Sequence, residues 1–358
     1  MFLPPEDEAR ANRRERARRR MRAAEAALPA LPPGGGRVPR GAVRMVPSRI
    51  VLDDRRLRFA VSDNDDAQGP EGPGSEPVWA VNIHGYFAGG GMYWRESANL
   101  AERLGWRVVN PSLPGFAGSD PLPWEHVNIR EITDQVVRLL DHLGVERTVL
   151  LGHSMGGAIA VQFAEAHPDR TLGIVYRDGA ATPAWKERHG VLVSLLSPFL
   201  PDVAGVLDLL LAAVLDTPDL VIGRRFSSTV RGLWPDARRN IRSMGRTLPV
   251  GSMLMAIDMR GEVRRLADRK IPLLPVWGCF DRIVHPATAV EFSQLSHHKI
   301  LWVPGGHSWM LPRPQGQADV LLHLDRGREF MDAVAARRRA LLGLDRSSLG
   351  RLAMRVVR

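Results

Sequence analysis

The chain has 358 residues, 44% of them hydrophobic and 25% charged, and a formal net charge of +10. A chain of this length holds one large domain with insertions, or two domains, and buries a core without disulfides, which excludes a fibrous or largely disordered protein. The single cysteine, Cys279, excludes an internal disulfide and a Cys-rich zinc site, and it fits a reducing compartment.

The first element is a tail. Residues 1–40 hold ten Arg against five acids and turn Pro/Gly-rich at Pro32-Pro33-Gly34-Gly35-Gly36. Residues 1–41 therefore read as a disordered basic arm. The apolar run after Arg22 is broken by Glu25 and Pro29, so no secretory signal is expected. A second basic tail spans 343–358, and the stretch 326–358 carries nine Arg against three acids. The body between the two ends is nearly neutral, so the excess charge reads as solvated ends. No specific nucleic-acid partner is expected, and peripheral contact of the Arg-rich tails with an anionic membrane stays open. No uninterrupted apolar run of membrane-spanning length exists, and the expected location is cytoplasmic.

Arg44 to Val51 and Arg56 to Val61 read as a strand pair about Asp53-Asp54, followed by a Gly/Pro/Asp loop from Asn64 to Glu76. Strands then alternate with helices. Val78 to Ile83, Arg107 to Asn110, Arg147 to Gly152 and Thr171 to Arg177 read as strands. Tyr93 to Leu104, Ile129 to Leu143 and Met155 to His167 read as helices. Continuous apolar strands between amphipathic helices imply an α/β fold, a mostly parallel sheet with helices on both faces.

The alternation stops over 182–265, which is mostly helical with proline breaks. It resumes with Ile271 to Gly278 (strand), Pro286 to Leu295 (helix), Lys299 to Val303 (strand) and a helix from about 316. The expected organisation is an α/β core at 42–181 and 266–342, interrupted by a helical cap at 182–265. Such a cap would lie over the carboxyl ends of the strands, where open α/β sheets bind ligands. Its apolar runs between Val191 and Leu215 suit either an apolar pocket or simple packing onto the sheet.

The chemistry-bearing segment is Gly152-His153-Ser154-Met155-Gly156-Gly157, between a strand and a helix. A serine on so sharp a turn is pushed above the sheet. Gly152 and Gly156 are needed because a Cβ at either position would strike neighbouring backbone. The first N–H groups of the following helix are left to bind an anion.

Together with three further segments, this motif resembles the α/β-hydrolase fold superfamily, in its serine-nucleophile branch, over about residues 42–342. Ile83-His84-Gly85-Tyr86-Phe87 is similar to the family's oxyanion loop, and the resemblance implies that the backbone N–H groups of Tyr86 and Met155 form the oxyanion hole. His84 is read as shaping that loop without transferring protons. Val276 to Val284 matches the acid-bearing turn, which implies Asp281 as the orienting acid, with Asp178 as its rival. Val303-Pro304-Gly305-Gly306-His307 implies His307 as the general base. The remaining histidines are assigned surface or packing roles. Ser112 stands where the family usually has aspartate, a departure that touches loop stability.

The resemblance, with serine at the elbow, implies acyl transfer: attack of Ser154 on a carbonyl, an acyl-enzyme, and release by water activated by His307. Neither a metal nor an organic cofactor is required. The expected substrate is a small carboxylic ester with an apolar acyl or alcohol group, as for a carboxylesterase or monoacylglycerol lipase. A carbon–carbon, thioester or amide hydrolase is the alternative, and a non-catalytic ligand- or partner-binding protein of the same fold is the alternative of another class.

Overall fold

A computed structural model describes residues 43–72, 74–184 and 226–344; the basic arm, most of the C-terminal tail and the apolar runs between Val191 and Leu215 lie outside them. Its centre is an eight-stranded sheet in the order β1-β2-β4-β3-β5-β6-β7-β8. The strands are β1 (Met45–Leu52), β2 (Arg55–Ser62), β3 (Trp79–Ile83), β4 (Arg107–Ser112), β5 (Thr148–His153), β6 (Thr171–Arg177), β7 (Leu273–Gly278) and β8 (Leu301–Val303). β1 and β2 form an antiparallel hairpin whose tight turn puts Asp53 and Asp54 at positive φ, and β2 pairs antiparallel with β4. From β4 to β8 every pairing is parallel.

The central strands are apolar throughout because both faces of the sheet are covered. Successive residues alternate between the two cores. Leu150, Ile174 and Trp277 enter the core beneath α2 (Ile129–His142), α3 (Met155–Ala166) and α7 (Pro286–Ser296). Leu151, Val175 and Val276 enter the core beneath α1 (Trp94–Leu104), α8 (Gly316–His323) and α9 (Asp325–Leu341). α2 starts with Asn128, whose side chain accepts from the Glu131 N–H at 2.9 Å, an N-cap that satisfies one orphan donor.

Two elements differ from the sequence expectation. β4 runs on to Ser112 through Pro111, which pairs with Phe59 of β2 beyond the last β3 partner, Val109. Past that point the loop after β3 takes over, as Asn110 Nδ2 donates to Gly90 O at 3.1 Å. The final helical stretch is two helices, α8 and α9, broken at the extended Leu324. Gly327 then approaches α8 so closely that a Cβ there would sit 1.8 Å from Val320 O.

Between β6 and β7 the described residues form α4 (Phe226–Arg242), α5 (Met244–Ala256) and α6 (Arg260–Asp268). α6 buries Val263 and Leu266 in the core beneath α3. α4 and α5 instead meet the loops that follow β3 and β4, at the carboxyl end of the sheet. No described helix is long and apolar enough to cross a membrane.

Candidate active site

Ser154 joins β5 to α3 with φ 55° and ψ −119°, a conformation that costs a non-glycine residue energy and persists only where its surroundings fix it. Three backbone bonds do so. Ser154 N–H donates to Arg177 O at 3.0 Å, while the N–H groups of Gly157 and Ala180 donate to Ser154 O at 2.9 and 3.1 Å. The flanking glycines are compulsory: a Cβ on Gly152 would lie 2.5 Å from Gly156 O, and one on Gly156 would lie 2.2 Å from Ile83 O. Met155 is the first residue of α3 and is fully buried.

The loop after β3 closes against this elbow. A Cβ on Gly85 would approach the Ser154 Cβ to 3.0 Å. Ala88 N–H donates to Gly85 O at 3.3 Å, forming a turn with Tyr86 and Phe87 at its centre and Phe87 at φ 59°. His84 fixes the loop from beneath. Its Nδ1 donates to Gly85 O at 2.8 Å and its Nε2 accepts the Leu113 N–H at 2.9 Å, so the ring is used as a neutral tautomer. Complete burial lowers its pKa to about 4. Ser112, the last residue of β4, accepts the Gly90 N–H at 3.2 Å.

The inserted helices grip the same loop. Asn240 of α4 is fully buried, donates to Phe87 O and Ala88 O at 2.9 Å each, and accepts the Ala117 N–H at 2.7 Å. Tyr86 donates its hydroxyl to Thr247 O of α5 at 3.1 Å.

Asp281 follows β7 and His307 follows β8, and both are buried. His307 Nδ1 meets Asp281 Oδ2 at 2.8 Å. The other carboxylate oxygen, Oδ1, accepts the N–H groups of Ile283 and Val284 at 2.8 and 2.9 Å, which fixes the orientation of the acid. Asp178, after β6, enters the same cluster: Gly278 N–H donates to its Oδ1 at 2.7 Å and Trp309 Nε1–H to its Oδ2 at 2.8 Å. Burial, and next the charge of Asp281, raise the Asp178 pKa well above the usual carboxylate range. Two carboxyls share this corner, and Asp178 is the one favoured to hold a proton.

Asp178, Asp281 and His307 are also the one group among the described residues with metal-capable atoms mutually within 4.8 Å. Their oxygens and the His307 Nδ1 are already engaged in the hydrogen bonds just given, so the donor set suits a proton network better than a cation. Cys279 is buried between the acid turn and β8, its N–H donating to Val303 O at 3.0 Å.

The sequence assigns His153 only a surface or packing role, yet its Nε2 lies 2.9 Å from His307 O and its Nδ1 lies 2.7 Å from the Tyr93 hydroxyl. Beneath it Arg177, fully buried, pairs with the buried Glu96 and donates to Asn82 Oδ1 at 2.7 Å. Asn240 was likewise unmarked. An elbow position can point to a residue beside the serine, but no local pattern announces its partner 154 residues away.

Residues 81–314 match the alpha/beta hydrolase fold family. The chain is 25% identical to a putative non-heme haloperoxidase of Mycobacterium phage D29, over 67% of this chain and 85% of that protein. It is 27% identical to the 2-hydroxy-6-oxo-6-phenylhexa-2,4-dienoate hydrolase of Burkholderia cepacia, over 66% and 80%. Among solved structures, a thermophilic esterase from Thermogutta terrifontis superposes with a TM-score of 0.56 at 20% identity, covering 80% of this chain and 98% of that one, a likeness of fold. The chain belongs to the α/β hydrolase fold family and is a hydrolase by class.

Proposed function

We propose that the protein is a serine hydrolase that cleaves small carboxylic esters through an acyl-enzyme on Ser154. The observation that carries this reading is the strained Ser154 elbow, with a buried His307–Asp281 pair at 2.8 Å on the loop bonded to its neighbour His153. In this reading His307 Nε2 takes the Ser154 proton as Oγ attacks the ester carbonyl carbon. Asp281 holds Nδ1–H and stabilises the imidazolium. The N–H groups of Tyr86 and Met155 receive the oxyanion, each worth about 3–4 kcal/mol. His307 then protonates the departing alcohol, and water activated by the same nitrogen releases the acid.

Residues 182–265 act in this reading as a cap, with α4 and α5 its part above the oxyanion loop. The apolar runs between Val191 and Leu215 favour an ester with an apolar acyl or alcohol group. A dienoate substrate, as in the name of the Burkholderia relative, is the second reading.

A fluorophosphonate should label the wild type and leave Ser154→Ala unlabelled. p-Nitrophenyl esters of graded length, assayed beside a dienoate, should rank esters first. Labelling that survives Ser154→Ala overturns the nucleophile, and turnover of the dienoate alone overturns the ester. Association of the Arg-rich ends with anionic vesicles would appear as salt-dependent co-sedimentation lost on removing residues 1–40, with hydrolysis intact.

A further inference from the structure

We infer that His153 and Tyr93 are positioning residues for His307: together they bolt its main chain to the nucleophile elbow and hold the imidazole beside it uncharged. The inference rests on the reading of His307 as the base. It starts from a constraint of hydrogen-bond chemistry. His153 Nε2 lies 2.9 Å from His307 O, and a carbonyl only accepts, so Nε2 carries the proton. In a neutral ring Nδ1 is then a lone pair. Its partner at 2.7 Å is the Tyr93 hydroxyl, which must donate. One neutral tautomer satisfies both bonds.

The arrangement links the parts of the proposed machinery that lie farthest apart in the chain. Tyr93 precedes α1, and its oxygen also receives the Gly85 N–H at 3.5 Å, a weak contact from the oxyanion loop. His153 ends β5 one residue before Ser154. His307 lies on the loop after β8. Tyr93 and His153 are 1% and 3% exposed, so water does not replace either bond. Little slack exists, since a Cβ on Gly85 would come to 3.2 Å from His153 Nδ1.

The charge state matters as much as the geometry. The rings of His153 and His307 lie 4.6 Å apart between centroids. A cation on His153 would oppose the imidazolium that His307 becomes during attack. The other charged and titratable groups facing His153 are Arg177 of β6, paired with Glu96 of α1, and the neutral His84 of the oxyanion loop. Arg177 opposes a second cation. The Tyr93 hydroxyl, donating into Nδ1, occupies the site where that proton would add.

Three variants test this on the full-length protein. Tyr93→Phe keeps the ring and removes the donor. It should lower kcat about tenfold with KM within about twofold, because small misplacements of a catalytic group act on the chemical step. With Nδ1 left unpaired, the acid limb of the kcat/KM profile should steepen as His153 begins to titrate alongside His307. His153→Leu should lower kcat about 100-fold, and His153→Gln, which can still donate to His307 O, should recover a large part of that loss. Nitrogen-15 NMR of the wild type should show His153 as the neutral Nε2–H tautomer, independently of activity.

Unchanged kcat and pH profile in Tyr93→Phe, or the Nδ1–H tautomer in the NMR spectrum, overturns the inference. So does equal loss in His153→Leu and His153→Gln when both melt cooperatively. If His153→Leu does not fold, Tyr93→Phe and the tautomer measurement decide. A wild type that neither turns over esters nor labels at Ser154 overturns the underlying reading instead, with the tautomer result still standing on its own.

Discussion

The two halves of the candidate site are built in different ways. On the serine side, six consecutive residues, Gly152 to Gly157, make the elbow, and its shape follows from which positions lack a Cβ. On the acid–base side, Asp281 and His307 sit on separate loops 26 residues apart and meet through bonds that each loop makes elsewhere. Asp281 is aimed by the N–H groups of Ile283 and Val284, and the His307 loop is held by His153 and, through Trp309, by Asp178. A locally built half fails when a single atom is added. A half built from distant contacts fails when a hydrogen bond is removed.

That contrast can be broken experimentally, beginning with the largest effect. Ser154→Ala should reduce kcat by about 10⁶ with the thermal melt preserved, measured on the ester that turns over best. Asp281→Asn should cost about 10⁴ in kcat by misplacing the His307 tautomer. Asp178→Asn sharpens the comparison. It keeps the shape of a neutral acid but sets an amide N–H₂ against either Gly278 N–H or Trp309 Nε1–H. Urea unfolding should show a loss of about 1–3 kcal/mol, with kcat reduced far less than in Asp281→Asn. The reverse ranking of the two variants would transfer the role of acid to Asp178.

Asn240→Ala probes the helices above the elbow. It removes three buried hydrogen bonds to the loops after β3 and β4, and stopped-flow kinetics should show a roughly tenfold lower acylation rate with little change in binding.

The last expected effect is on stability alone and leaves the turnover rate at pH 7 unchanged. His84 has a folded-state pKa of about 4 against a reference of 6.5, so between those values the unfolded chain binds more protons. Stability from this group is therefore complete above pH 6.5 and falls as the pH drops towards 4, by on the order of 3 kcal/mol. Urea midpoints at pH 7 and pH 4.5 should differ accordingly, and His84→Gln should flatten the slope.

The alternation of strands and helices could be read because burial on both sheet faces forces continuous apolar runs. Thr171–Arg177 has the same bounds in sequence and structure, and the other core strands shift by no more than a few residues at their ends. The elbow could be read because its steric demand is local. The positions of Asp281 and His307 came from resemblance, since no spacing rule brings loops after two different strands together. His153, Tyr93 and Asn240 could not be read at all. His153 and Asn240 bind main-chain groups of remote segments, which leave no mark on residue identity, and Tyr93 binds the His153 ring from 60 residues away. The break at Leu324 was hidden for a related reason: α8 and α9 are each helical in pattern, and only the close crossing of Gly327 over Val320 separates them.

The three bonds from Asn240 have a consequence for selectivity. With Asn240 fastened to the peptides after Tyr86, α4 cannot shift without dragging them along. In the proposed reading, where α4 and α5 cap the site, admission of a guest and readiness to react would be one motion. A bulky guest that keeps the roof ajar would lodge well and convert slowly, so discrimination among guests would appear in turnover number more than in affinity.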